Sequence, residues 1–230
     1  MFMRMIFVRH GEPDYERDCL TEEGKRQAMA AANRLAHFEL SDIYSSPQGR
    51  AMETAEYTAK LIGKPVKKLE FMREISWGGP NIPENGHPWT LGGRMMLEEE
   101  DLFATDWTRH PYFEGNKATT CFSEVTEKLD AFLESQGYVH EGKRFFCKTD
   151  EKKTIALFSH GGSGACALSH ILGLPFPYVL AVMPYGFTSL TVIDLPTVKE
   201  GPVYPWLERF NDVTHLERAE APRLQRISEG

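Results

Sequence analysis

Two short apolar runs in this sequence end in histidine followed by glycine: Val8-Arg9-His10-Gly11 and Phe158-Ser159-His160-Gly161. Runs of this kind read as buried strands, and open α/β sheets bind ligands beyond the carboxyl ends of their strands. If the two strands are neighbours, two imidazoles meet in one crevice. Arg9 arrives beside His10, and Arg50 stands near the start of a helix that follows Ser45-Ser46-Pro47. A helix start offers free N–H groups and the positive end of its dipole to an anion. Arginine adds planar, two-pronged recognition of phosphate oxygens. Two histidines and two arginines so placed describe a pocket for a phosphoryl group. Taken singly, each has a plainer use: His10 as a strand cap, Arg50 as a partner of Glu53 or Glu56, His160 as a core histidine. Their joint occurrence at strand ends and a helix start favours the pocket.

The elements that must position these residues can be read along the chain. Met3 to Val8 and Thr154 to Phe158 are the two strands that deliver the histidines. Thr21 with Glu22 and Glu23 marks a helix start, running to about Phe38 with Ala28, Ala31, Leu35 and Phe38 at helical spacing. Ile43 and Tyr44 form a brief strand. A helix follows from about Gln48 to Ile62, closed by Gly63 with Pro65 beyond. Helical spacing returns from Phe122 through Val125, Leu129 and Phe132 to a stop at Gly137. A helix over Gly162 to Leu172, a strand over Ser189 to Leu195 and a last strand near Tyr204 to Phe210 complete the pattern. Strands alternating with helices predict an α/β sandwich with a mainly parallel sheet. Residues 76–118, rich in Gly and Pro at first, break this rhythm and read as a cap-like insertion over the site. A plain surface excursion is the alternative for that segment. The whole of 1–230 is then one domain carrying an insertion, with polar ends from about Arg218.

Composition narrows the class. The chain has 230 residues, 41% hydrophobic and 26% charged, as ordinary globular proteins do. A net charge of −7 argues against general nucleic-acid binding, which needs an excess of cations. A local cationic cluster can still hold a small anion. The opening apolar run ends at Arg9, and no stretch approaches a membrane span. Cys19, Cys121, Cys147 and Cys166 are scattered, as expected of reduced thiols in the cytoplasm. No Asp and His residues stand at the spacing of metal ligands. His37, His140 and His170 read as surface or packing residues.

The runs FVRHGEPDY, LTEEGKRQA, YSSPQGRAMETA and LFSHGG, in that order, resemble the histidine phosphatase superfamily, also called phosphoglycerate-mutase-like. FNDVTHLE near the C-terminus is similar to a stretch common there too. The resemblance implies a three-layer α/β/α sandwich and a phosphatase that needs neither metal nor cofactor. It implies that His10 is the nucleophile and becomes a phosphohistidine, while Arg9, Arg50 and His160 grip the transferring oxygens beside Gly161. It implies an acid after the second helix that protonates the leaving oxygen and then activates water. Glu74 in FMREISWG fits best, with Glu70, Asp14 and Glu84 as alternatives. The partner expected is a small phosphorylated metabolite, with no nucleic acid or membrane; the oligomeric state is open.

One departure stands out. Many members carry Asn six residues after the nucleophile, and here that position is Glu16, preceded by Tyr15. An ionised carboxylate would repel phosphate, so Glu16 either points away or meets a cationic part of the substrate. Three rivals are weighed. A mutase would return the phosphoryl group to a sugar acid, but its RLNERxYG-like stretch is replaced by REISWGGPNIPENG, and Arg94 and Arg109 stand alone. A serine hydrolase is suggested by Gly161-Gly162-Ser163-Gly164-Ala165, which leaves Arg9-His10-Gly11 without a purpose. A binding protein that kept the fold but not catalysis would have lost a core residue, and none is missing. Trp77, Trp89 and Trp107 could wall the pocket or pack in the core.

Overall fold

The computed structural model describes residues 2–79, 106–183, 185–198 and 200–216. Its centre is a six-stranded sheet. Strand β1 (Phe2–Arg9) lies in the middle. On one side it pairs in parallel with a strand over Lys153–Ser159, which pairs with Asp42–Ser45, which in turn pairs with Val66–Lys68. On the other side Leu190–Pro196 runs antiparallel to β1 and carries an outer strand, Trp206–Asp212. In chain order the described strands are β2 (Pro13–Asp14), β3 (Cys19–Leu20), β4 (Asp42–Ser45), β5 (Val66–Lys68), β6 (Tyr138–Glu141), β7 (Arg144–Cys147), β8 (Lys153–Ser159), β9 (Leu190–Pro196), β10 (Pro202–Val203) and β11 (Trp206–Asp212). The sheet order is therefore β11-β9-β1-β8-β4-β5, with β9 alone opposing the others. Arg4 and Asp194 face each other across β1 and β9. There they form a two-pronged ion pair of 2.8 and 2.7 Å, a directly opposed cross-strand charge pair.

Side chains alternate between the two faces of a strand, and the core divides accordingly. Met3, Met5 and Phe7 of β1, with Ile155 and Leu157 of β8, pack against α3 (Lys117–Ser135) and α4 (Gly161–Leu172), through Leu129 and Leu168 among others. Ile6, Val8, Ala156 and Phe158 face the other way, toward Leu35 of α1 (Glu22–Leu35) and Ala55 of α2 (Gly49–Ile62). The result is the expected three-layer α/β/α sandwich with a mostly parallel sheet.

The helix starts have local causes. Thr21 accepts the Gly24 N–H at 3.0 Å and caps α1, which passes into a 3-10 turn at Ala36–Phe38. Asn116 accepts the Ala118 N–H at 2.9 Å. This cap starts α3 at Lys117, five residues before the predicted Phe122, so residues 117 and 118 belong to that helix. Among the elements not read from sequence are the short strands β2, β3, β5 and β10, the β6–β7 hairpin, turning at Gly142 with φ +67°, and α5 (Phe176–Val182). Of the predicted insertion, residues 80–105 lie outside the described residues, and Glu84, Trp89 and Arg94 with them. Trp107 is buried against Phe113, Phe122 and Phe176, so it belongs to the core. Trp77 meets Phe113 edge-on at 5.9 Å. Among the described residues no helix is long and apolar enough to cross a membrane.

Candidate active site

Strands β1 and β8 are neighbours in register, Arg9 opposite Ser159, so their ends release His10 and His160 side by side. The rings lie 5.2 Å apart between centroids, and both are buried, 1% and 0% exposed. His10 Nδ1 is 2.7 Å from the Gly11 carbonyl oxygen. A carbonyl only accepts, so Nδ1 carries the proton and donates it. The lone pair of the neutral ring then sits on Nε2. Burial, with Arg9 adding to it, pushes the His10 imidazole from its usual 6.5 down to about 3. His160 is depressed as well, first by burial and then by the positive groups around it. Both rings are neutral at pH 7.

His160 Nε2 lies 2.8 Å from Ser46 Oγ. Ser46 is placed because β4 ends beside β8, and its N–H donates to the Phe158 carbonyl at 2.8 Å. Immediately after, α2 begins and presents Arg50 from its first turn. Arg50 is buried, and its Nη1 donates to Asp18 Oδ1 at 2.6 Å. The second Asp18 oxygen accepts the Gly49 N–H at 2.7 Å. Burial opposes ionisation of Asp18, but the Gly49 and Arg50 hydrogen bonds outweigh it and hold the carboxyl below its usual range. Thr54, one turn along α2, accepts the Gly11 N–H at 3.1 Å and donates to the Arg50 carbonyl at 2.7 Å, locking the helix to the His10 loop.

Arg9 is held from the opposite side. Its Nη1 donates to the Tyr185 carbonyl at 2.7 Å, and its guanidinium lies 4.4 Å over the Phe187 ring. Phe187 also meets His10 at 5.6 Å. The Tyr185 hydroxyl donates to the His160 carbonyl at 2.7 Å. The chain can approach so closely only because position 164 is glycine: a Cβ there would stand 1.5 Å from the Tyr185 hydroxyl.

Glu74 lies past β5, beyond the 3-10 turn at Glu70–Met72. Its Oε1 accepts three backbone N–H groups, from Ile75 at 3.0, Gly162 at 2.9 and Ser163 at 3.0 Å. The last two are free donors at the start of α4, so Glu74 caps that helix. Its carboxyl is nevertheless raised above the usual range, because burial outweighs the N–H groups and the attraction of Arg9 and Arg50. Of the alternatives, Glu70 is exposed and paired with Arg73 at 3.1 Å, and Asp14 accepts the Glu16 and Arg17 N–H groups.

His10, Arg9, Arg50, His160, Gly161 and Glu74 thus gather beyond the carboxyl ends of the parallel strands. Asp18, Ser46, Tyr185 and Phe187 were missed from sequence. Asp18 had the only local signal, a carboxylate just before LTEEG. Glu16 is exposed, turned to solvent as one of its two options required. Ser163 is buried; its hydroxyl donates to the Met72 carbonyl at 3.0 Å and accepts the His160 N–H at 3.4 Å. Those bonds make Ser163 a structural cap, and the serine-hydrolase reading loses its nucleophile.

Known proteins resemble this chain over nearly its full length. The Probable phosphoglycerate mutase GpmB of Cronobacter sakazakii is 29% identical over 244 residues, covering 97% of this chain and 100% of the relative. Its namesake in Escherichia coli K12/DH10B is 28% identical over 236 residues, with the same coverage. Among solved structures, the phosphoserine phosphatase of Entamoeba histolytica in complex with 3-phosphoglyceric acid superposes with a TM-score of 0.62 at 24% identity, covering 94% of this chain and 100% of that one. The mycobacterial glucosyl-3-phosphoglycerate phosphatase with inorganic phosphate gives 0.64 at 21%, with the same coverage. These structural likenesses establish the fold. The family profile described as Histidine phosphatase superfamily (branch 1) matches residues 5–202, and the chain belongs to that superfamily.

Proposed function

We propose that this protein hydrolyses phosphate monoesters through a phosphohistidine on His10. The observation that carries the reading is the hydrogen bond from His10 Nδ1 to the Gly11 carbonyl, which leaves Nε2 as a lone pair inside a cationic pocket. Nε2 attacks phosphorus in line with the ester oxygen. Arg9, Arg50 and His160 donate to the equatorial oxygens, offsetting the charge spread over them. Glu74, whose carboxyl burial makes easier to protonate, gives a proton to the departing alkoxide. The resulting carboxylate then takes a proton from water, which attacks phosphorus, releases inorganic phosphate and restores His10. Covalent transfer splits one difficult displacement into two easier ones. The positive charge comes from the two arginines, so the cycle calls for no metal ion.

The names of the curated relatives favour a second reading, in which a sugar acid takes the phosphoryl group in place of water. Such a substrate needs a cationic site for its own carboxylate. Arg109, one of the two arginines available for it in the 76–118 segment, is exposed and lies 3.8 Å from Asp106, which supports water as the acceptor. One solved relative is in complex with 3-phosphoglyceric acid, and a small phosphorylated metabolite is the class of substrate we assign here. Residues 76–118, as an insertion within one domain, are the part we assign to substrate choice. The test is phosphate release from p-nitrophenyl phosphate in EDTA, alongside interconversion of 2- and 3-phosphoglycerate. Turnover of the former, lost in His10→Ala, supports the phosphatase. Interconversion outpacing phosphate release would establish the mutase.

A further inference from the structure

Away from the His10 pocket, three elements bring together side chains that are distant in sequence. Asp130 comes from α3, His140 from β6 and His170 from the last turn of α4. Asp130 Oδ1 lies 2.8 Å from His140 Nδ1 and 2.7 Å from His170 Nε2, and the two ring nitrogens are 3.1 Å apart. His170 is ten residues along α4 from His160, roughly 15 Å at the helical rise, so the cluster is separate from the phosphoryl pocket.

Hydrogen bonding alone satisfies this triangle poorly. If both rings donate to Asp130 Oδ1, two N–H hydrogens crowd toward one oxygen from nitrogens 3.1 Å apart. If one nitrogen is bare, its lone pair faces the same carboxylate. A cation at the centre removes the conflict, because all three atoms can then offer lone pairs to it. Zinc–nitrogen and zinc–oxygen bonds of about 2.0–2.2 Å place neighbouring tetrahedral ligands roughly 3.3 Å apart. The observed edges need open by only about 0.2 to 0.6 Å. The His140 ring is fixed by stacking on Phe145, with centroids 4.2 Å apart and planes 4° from parallel. Its side chain is 3% exposed, against 22% for His170 and 39% for Asp130. Entry is therefore from the Asp130 side, where water can complete the coordination.

We propose that Asp130, His140 and His170 form a binding site for a divalent transition-metal ion of the zinc type. Two imidazoles and one carboxylate are ligands that suit zinc better than magnesium or calcium, which prefer all-oxygen shells. The ion ties α3, the β6–β7 hairpin and α4 together. Its effect is on stability, away from the reacting groups.

The test is calorimetric titration of EDTA-stripped protein with Zn²⁺, paired with melting curves and a Co²⁺ absorption spectrum. Wild type binds one ion in this site and gains roughly 5–10 °C in Tm at a 100-fold excess over Kd. His170→Ala and the near-isosteric Asp130→Asn lose at least ten-fold in affinity and lose the gain, with near-UV circular dichroism confirming that both are folded. His10→Ala keeps both. The Co²⁺ form lacks a thiolate charge-transfer band. No binding by wild type, binding unchanged in Asp130→Asn, loss in His10→Ala or a thiolate band would each overturn the site.

Discussion

Asp18 holds Arg50 at 2.6 Å and with its other oxygen takes the N–H of Gly49 at 2.7 Å. One carboxylate thereby fixes both the start of α2 and the side chain that the helix presents beside His10 and His160. Asp18→Ala frees the guanidinium to move by an ångström or so, and a misplacement of that size costs on the order of 100-fold in rate. The expected result in steady-state kinetics is a fall of about 10- to 100-fold in kcat/KM, smaller than that of Arg50→Ala. An unchanged kcat/KM would show that Arg50 needs no such anchor.

Glu16 is exposed, whereas Arg50 is buried beside the histidines. Glu16→Ala should therefore change kcat/KM less than about three-fold, and Arg50→Ala should lower it by about 100-fold or more, the scale of a removed transition-state donor. Equal losses would place Glu16 on the substrate.

Glu74 carries a conflict between stability and chemistry. Its carboxyl is raised above the usual range by burial, so at pH 7 the folded state bears a strain that the unfolded chain does not. Glu74→Gln keeps an oxygen for the Ile75, Gly162 and Ser163 N–H groups and removes the acid. Tm at pH 7 should rise by about 2–4 °C, while phosphate release falls by about 10²- to 10⁴-fold. A lower Tm with retained activity would contradict both halves.

The depressed histidines set the pH dependence of stability. His10 is held at about 3 and His160 is lowered too, each primarily by burial. Between the ordinary imidazole value of about 6.5 and the folded values, the unfolded chain binds protons that the folded chain does not. Stability is therefore present above pH 6.5 and drains away as the pH falls through that window. Urea denaturation at pH 5 and 7 should show a loss in wild type that His10→Ala reduces. Nitrogen NMR of His10 should show a neutral ring still at pH 5; a midpoint near 6.5 would contradict the account.

Much of the site was legible because its residues sit where the chain changes state. Arg9-His10-Gly11 and His160-Gly161 end apolar runs and Arg50 opens a helix, whereas Glu74 came only from the family resemblance. Such punctuation is local, and sequence records it. Asp18 had no more than its place just before LTEEG, and Tyr185 and Phe187 reach the pocket only through tertiary packing, which leaves no spacing to read. The same holds for Asp130, His140 and His170, which no linear pattern joins. The hairpin of β6 and β7 went unread although Gly142 marks its turn. The short helix α5 also went unread; it begins at Phe176 between Pro175 and Pro177, and proline is tolerated in the first turn of a helix.

The central claim is that the phosphoryl group rests on His10, and trapping it is the most direct test. The enzyme is mixed with a ³²P-labelled monoester, quenched in alkali because phosphohistidine is acid-labile, digested and analysed by mass spectrometry. The account predicts label on the peptide bearing His10, stable in base, lost in acid and absent from His10→Asn. Label on a serine, or turnover surviving in His10→Asn, would contradict it.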